Sequence, residues 1–137
     1  MNADIQLRRA LVYDDDEAFA EECAEALARH GYEVTTRNGN SRFAALLASV
    51  EPQLLLLDLH MPDFDGFEAL RAIRDYKGKD ALTVFIVSAA EPSLIAMAET
   101  LAQPYGIRLG GFLGKPVTLA ALEKALASAG DDKTAQI

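Results

Sequence analysis

Apolar positions along the chain fall into two kinds of run that alternate. Short, nearly contiguous runs occupy Leu7–Tyr13, Gln53–Asp58, Leu82–Val87 and Ile107–Leu113, and a shorter alternating one occupies Tyr32–Thr36. Between them the apolar residues recur at helical spacing. Glu17–His30 places Phe19, Cys23, Ala26 and Leu27 on one face, with Gly31 placed as a C-terminal cap. Ser41 can cap a helix in which Phe43, Leu46, Leu47 and Val50 follow i, i+3, i+4, i+7, and Pro52 ends it. Phe67–Tyr76, Pro92 to about Gln103, and Val117–Ala129 read as three further helices. Pro92 suits a first helical turn, and Leu119, Leu122 and Leu126 are expected to face inward.

Five strands alternating with five helices imply a parallel sheet covered on both faces. The four leucines Leu54–Leu57 suit a central strand, whereas the alternating Tyr32–Thr36 suits an edge. Leu59–Gly66, with Met61-Pro62-Asp63 and Asp65-Gly66, is a loop by its turn chemistry. The fifth strand is rich in glycine, at Gly110, Gly111 and Gly114. Residues 5–129 are expected to form one domain. Residues 130–137 lack an apolar pattern and are expected to be a disordered tail.

Composition narrows the function classes. The chain has 137 residues, 50% of them hydrophobic, and a net charge of −8, which argues against nucleic acid or an anionic membrane as direct partner. The single Cys23 excludes an intramolecular disulfide and suits a reducing cytoplasm. Met1–Arg9 does not read as a signal peptide, and no apolar run approaches the roughly 20 residues of a membrane helix. A cytoplasmic location is the expectation.

The chemistry sits at the strand ends. Asp14-Asp15, Asp58, Ser88 and Lys115 each follow an apolar run, so parallel strands bring them to one sheet edge, where open α/β sheets bind ligands. Adjacent carboxylates repel unless a cation lies between them, and Mg²⁺ takes one or two carboxylates together with water and phosphate oxygens. Helix capping is the other reading of Asp14, Asp15 and Asp16, and it stays open at this point. It does not extend to Asp58, where no helix starts. Ser88 taken alone reads as a strand-end hydroxyl. Lys115, held between Gly114 and Pro116, calls for a carboxylate or phosphate partner, and a cis Lys115–Pro116 bond is one means of turning it into the cleft.

These residues carry a resemblance. Leu-Val-Tyr-Asp-Asp-Asp at 11–16, Leu-Leu-Leu-Leu-Asp-Leu-His-Met-Pro-Asp-Phe-Asp-Gly at 54–66, Val-Phe-Ile-Val-Ser-Ala at 84–89 and Gly-Phe-Leu-Gly-Lys-Pro at 111–116 resemble, in order, the receiver domain of two-component response regulators. The resemblance implies a flavodoxin-like (βα)5 three-layer sandwich with parallel sheet order 2-1-3-4-5. It implies that Asp58 accepts a phosphoryl group from a sensor histidine kinase or histidine phosphotransferase. It further implies Mg²⁺ held directly by Asp15 and Asp58, largely through water by Asp14, and by the backbone carbonyl of His60. Ser88 and Lys115 would contact the phosphoryl oxygens, and Phe112 matches the aromatic switch position that works with Ser88, although locally it also reads as an ordinary strand aromatic. A downstream protein target and, as an option, a homodimer are the further partners implied.

The segment from Ser88 to Lys115 is a few residues longer than is typical of receivers. Its end, Pro-Tyr-Gly-Ile-Arg-Leu-Gly-Gly-Phe-Leu-Gly-Lys-Pro, resembles receivers found beside cyclic-di-GMP phosphodiesterase outputs. The His60 imidazole is expected beside the site rather than on the metal. Cys23 is expected to be inert packing, and His30 a cap or a solvated side chain. The competing function is a Mg²⁺-dependent phosphohydrolase of the haloacid dehalogenase type, for which Asp14-Asp15-Asp16 supplies the Asp-x-Asp. That family would want Thr or Val where this chain has Ala18, and would leave Asp58 unexplained.

Overall fold

A computed structural model describes residues 8–39, 42–59, 61, 65–89 and 92–135. The elements run β1 (Arg8–Tyr13), α1 (Glu17–Arg29), β2 (Tyr32–Arg37), α2 (Phe43–Val50), β3 (Leu54–Asp58), α3 (Gly66–Asp75), β4 (Thr83–Ser88), α4 (Pro92–Tyr105), β5 (Arg108–Gly114) and α5 (Leu119–Ala135), with a short 3-10 turn at Lys79–Ala81. All strand pairings are parallel and the order is β2-β1-β3-β4-β5, as the sequence implied.

Alternation along the strands splits the core in two. Leu11, Tyr13, Leu55, Leu57, Val84 and Ile86 pack with α2, α3 and α4. Ala10, Val12, Leu54, Leu56, Phe85 and Val87 pack with α1 and α5 on the opposite face. β3 is buried along its whole length, which is why it reads as uninterrupted leucine. β2 is only partly buried, in keeping with its place at the sheet edge.

Local chemistry sets the element ends. Asp16 caps α1, its Oδ1 accepting from the Phe19 N–H at 3.1 Å, and Asp65 caps α3 by accepting from the Phe67 N–H at 2.9 Å. Gly31, at φ +89°, terminates α1 in the left-handed conformation that glycine adopts without strain. The arginines at the start of β1 have structural partners. Arg9 Nε donates to the Val50 carbonyl at 3.0 Å, closing the end of α2, and Arg8 lies over the Tyr32 ring at 5.1 Å. His30 occupies the C-cap position of α1 and hydrogen-bonds Glu123 of α5, with Arg29 3.9 Å from the same carboxylate.

Four expectations change. α5, expected from Val117, is capped by Thr118, which accepts from the Ala121 N–H at 3.0 Å, so the helix starts at Leu119. Leu119, expected to face inward, is 56% exposed, while Leu122 and Leu126 are buried as expected. α5 continues to Ala135, so the backbone through most of the segment expected as a tail is helical. Ser41, named as the α2 cap, lies outside the described residues, and Arg42 holds that position without a side-chain cap bond.

The glycines of β5 answer to packing. The β4–β5 register steps by one residue between Val84, opposite Leu109, and Phe85, opposite Gly111, leaving Gly110 as a bulge. A Cβ on Gly110 would lie 2.5 Å from Cζ of the buried Phe85 ring. The step pairs Phe112 with Ile86 and Leu113 with Val87, and so decides which face each occupies.

Candidate phosphoryl-transfer and metal site

β1, β3 and β4 end together at one edge of the sheet, and the chain leaves β5 there as well. Asp14 follows β1, its N–H bonded to the Arg37 carbonyl at the end of β2 at 3.0 Å, and Asp58 is the last residue of β3. Both carboxylates are buried, at 2% and 3% exposure, and Asp15 beside them is exposed. One oxygen from each of Asp14, Asp15 and Asp58 lies within 4.8 Å of the others.

Lys115 reaches this cluster from the loop after β5, and the Lys115–Pro116 bond that follows it is cis. Its Nζ donates to Asp14 Oδ1 at 3.0 Å and to Asp58 Oδ2 at 3.2 Å. Burial works against the ammonium, but the hydrogen bonds and charges of Asp14 and Asp58 outweigh it and hold Lys115 above the usual lysine range. Burial pushes the Asp14 carboxyl up, with the charge of Asp58 adding to it; the bonds from the Asp16 N–H and Lys115 oppose this without cancelling it. The three acidic residues thus have distinct jobs. Asp16 caps the helix, Asp14 orders the turn and meets Lys115, and Asp15 stays free of the cap.

Among the described residues, Asp14 Oδ2 is buried with no hydrogen-bond partner. A buried carboxylate oxygen in that state is costly unless a cation meets it. Three carboxylates against one ammonium leave an excess of negative charge that a divalent ion would balance, and the all-oxygen donor set fits a hard ion such as Mg²⁺. The residues present therefore fit the metal.

Along the chain, 118 of 137 residues, 10–127, match the family model described as the response regulator receiver domain. The chain belongs to this family. It is 33% identical over 121 residues to the response regulator MprA of Mycobacterium avium, covering 87% of this chain and 48% of that protein. It is 30% identical over 111 residues to the transcriptional regulatory protein GltR of Pseudomonas aeruginosa, covering 80% of this chain and 43% of the relative. This receiver thus spans less than half the length of these curated relatives. Among solved structures, the signal receiver domain from Bermanella marisrubri superposes with a TM-score of 0.71 at 29% identity, covering 89% of this chain and 97% of that one. The flavodoxin-like, CheY-like fold and a place in two-component signalling follow from these matches, and they give no support to the haloacid-dehalogenase-like alternative.

The receiver brings Asp14, Asp15, Asp58 and Lys115 together as the sequence implied. Ser88 ends β4 opposite Gly114, adjoining the same edge. Phe112 is partly buried against the α2–α4 side of the core. His60, named as a carbonyl ligand, lies outside the described residues. One neighbour went unforeseen: Phe19, whose ring centroid is 5.4 Å from Lys115 Nζ. Its helical spacing marked it only as a core residue, and nothing local in the sequence links it to a lysine on the far side of the chain. Cys23 is fully buried in the α1–α5 layer, as expected of inert packing, and burial pushes its thiol up to about 12.

Proposed function

We propose that Asp58 is the phosphoacceptor of a phosphorylation-controlled signalling module, served by a sensor histidine kinase or a histidine phosphotransferase. The observation that carries this reading is the buried Asp58 carboxylate at the end of β3, 3.2 Å from the Lys115 ammonium and beside Asp14 and Asp15. An Asp58 oxygen attacks phosphorus, the bond from phosphorus to the donor imidazole nitrogen breaks, and the electron pair leaves with the imidazole, which takes up a proton from solvent. Phosphoryl transfer calls mainly for alignment and neutralisation of charge on the equatorial oxygens. Lys115 supplies one positive charge, and Ser88 a hydroxyl from the end of the neighbouring strand. Asp14, Asp15 and Asp58, with the carbonyl of His60, would hold Mg²⁺, which when bound supplies the remaining positive charge.

The receiver unit is taken as residues 5–129, working in the cytoplasm. Ser88 and Phe112 are proposed as the switch that carries phosphorylation to a downstream protein target, and self-association through a homodimer is a further option. In this reading the domain transfers a phosphoryl group onto itself and does not turn over external substrates. Incubation with acetyl phosphate and Mg²⁺ should give one acid-stable, base-labile adduct at Asp58, and Asp58→Asn should abolish it. Full labelling of Asp58→Asn through the same linkage would overturn the assignment.

A further inference from the structure

We propose that Phe19 is a positioning residue for phosphoryl transfer, its ring face holding the Lys115 ammonium in place over the two buried carboxylates. The proposal rests on the reading of Asp58 as the phosphoacceptor. Lys115 Nζ has Asp14 Oδ1 at 3.0 Å and Asp58 Oδ2 at 3.2 Å, and the Phe19 ring centroid at 5.4 Å. The face of an aromatic ring attracts a cation within about 6 Å, and does so more strongly where water is reduced. Here the lysine side chain is 20% exposed and Phe19 is 9% exposed, so the contact is largely shielded.

The lysine needs such a hold because it has somewhere else to go. A groove of about 400 Å³ opens beside it, lined among others by Phe19, Glu22, Pro116 and Val117. Glu22, exposed, lines the same groove and offers a second carboxylate there. The backbone that carries the ring is held by the acidic turn, since Asp16 accepts the Phe19 N–H at 3.1 Å and Asp14 accepts the Asp16 N–H at 2.9 Å. The same turn that presents the acids therefore also places the backbone from which the ring projects. Once Asp58 is phosphorylated its oxygen is no longer free for Lys115, and the ammonium must stay near its present place to meet the phosphoryl oxygens. An aliphatic side chain at position 19 could fill the volume but would not attract the cation.

The test uses the full chain with Phe19→Leu, Phe19→Met and Phe19→Tyr, each also checked for its thermal midpoint. Two quantities are read: the labelling rate with acetyl phosphate and Mg²⁺, and the NMR shift of the Lys115 Cε protons, which the ring face moves from the ordinary lysine position. Leu and Met should slow labelling by about threefold to tenfold, the size of a partly shielded cation–π contact, and return the Cε signal toward ordinary lysine. Tyr should keep both parent values. If Leu does not fold, Met carries the comparison. In a Lys115→Ala protein, Phe19→Met should change the rate by less than about twofold, because the cation it positions is gone. Parent-like rates and shifts in Leu and Met would overturn the proposal, as would an undiminished slowing in the Lys115→Ala background, which would mark a purely structural role. A Tyr variant as slow as Met also counts against it. A parent that does not label at Asp58 overturns the reading of the site and this inference with it, whereas a labelled parent with unaffected variants overturns this inference alone.

Discussion

Gly110→Ala should destabilise the receiver through one contact, and replacing the partner in that contact should restore most of the loss. An alanine Cβ at position 110 would stand 2.5 Å from Cζ of Phe85 and 2.8 Å from both Cε atoms. Those separations are far inside van der Waals contact, so either the ring or β5 must move. The ring has little freedom, since Phe85 is 2% exposed and packed in the α1–α5 layer of the core. Overpacking of this kind costs about 1–3 kcal/mol. For a domain of this size that lowers Tm by roughly 4–12 °C. Urea denaturation of the parent, Gly110→Ala, Phe85→Leu and the double variant measures the coupling. In the Phe85→Leu background the alanine should cost less than about 1 kcal/mol, since the clashing ring atoms are gone. A Gly110→Ala protein within about 0.5 kcal/mol of the parent would refute the steric reasoning. Equal penalties in the two backgrounds would show that the glycine serves the backbone of the bulge and not the ring. The outcome bears on function, because this bulge sets the register that places Phe112 and Leu113 on their faces just ahead of Lys115.

Asp15→Asn should weaken Mg²⁺ affinity and slow phosphorylation together, since it removes one of the three clustered carboxylates; calorimetry showing unchanged affinity would contradict the ligand set. Lys115→Ala should fold, with a Tm lowered in metal-free buffer and largely recovered by Mg²⁺, because its loss leaves Asp14 and Asp58 facing each other without a cation. Its phosphorylation-dependent partner binding should fail, and binding equal to the parent's would refute the coupling. Cys23 should resist thiol reagents in the native state at pH 8 and react only on unfolding. Its thiol goes from 9.0 to about 12 on folding, so above pH 9 the unfolded chain loses this proton while the folded one keeps it. Stability should therefore fall as pH rises from 9 toward 12, by at most about 1.4 kcal/mol per pH unit from this group. Cys23→Ala should lose that part of the slope, and an unchanged slope would refute the assignment.

The sequence by itself determined the element order and which residues stand at the strand ends. Leu54–Leu57 could only be a central strand, because unbroken apolar character is useful only when both faces are covered, and all four side chains are buried. The acids, the lysine and the strand-end position of Ser88 were legible because parallel strands deliver their C-terminal ends to one edge. Which of the three acids caps the helix was not legible. Asp14, Asp15 and Asp16 are alike in local sequence, and only the folded turn made Asp16 the cap, buried Asp14 with an unpartnered oxygen, and left Asp15 exposed. The ends of α5 were missed for a local reason, since the Thr118 cap and the helical continuation to Ala135 do not alter the apolar pattern that marks a helix. The two pairings that matter most beyond the site, Phe19 with Lys115 and Phe85 with Gly110, are contacts between residues far apart along the chain. Periodicity reports which face of an element is apolar. Only the packing of the layers decides which distant side chain, or which missing one, lies against that face.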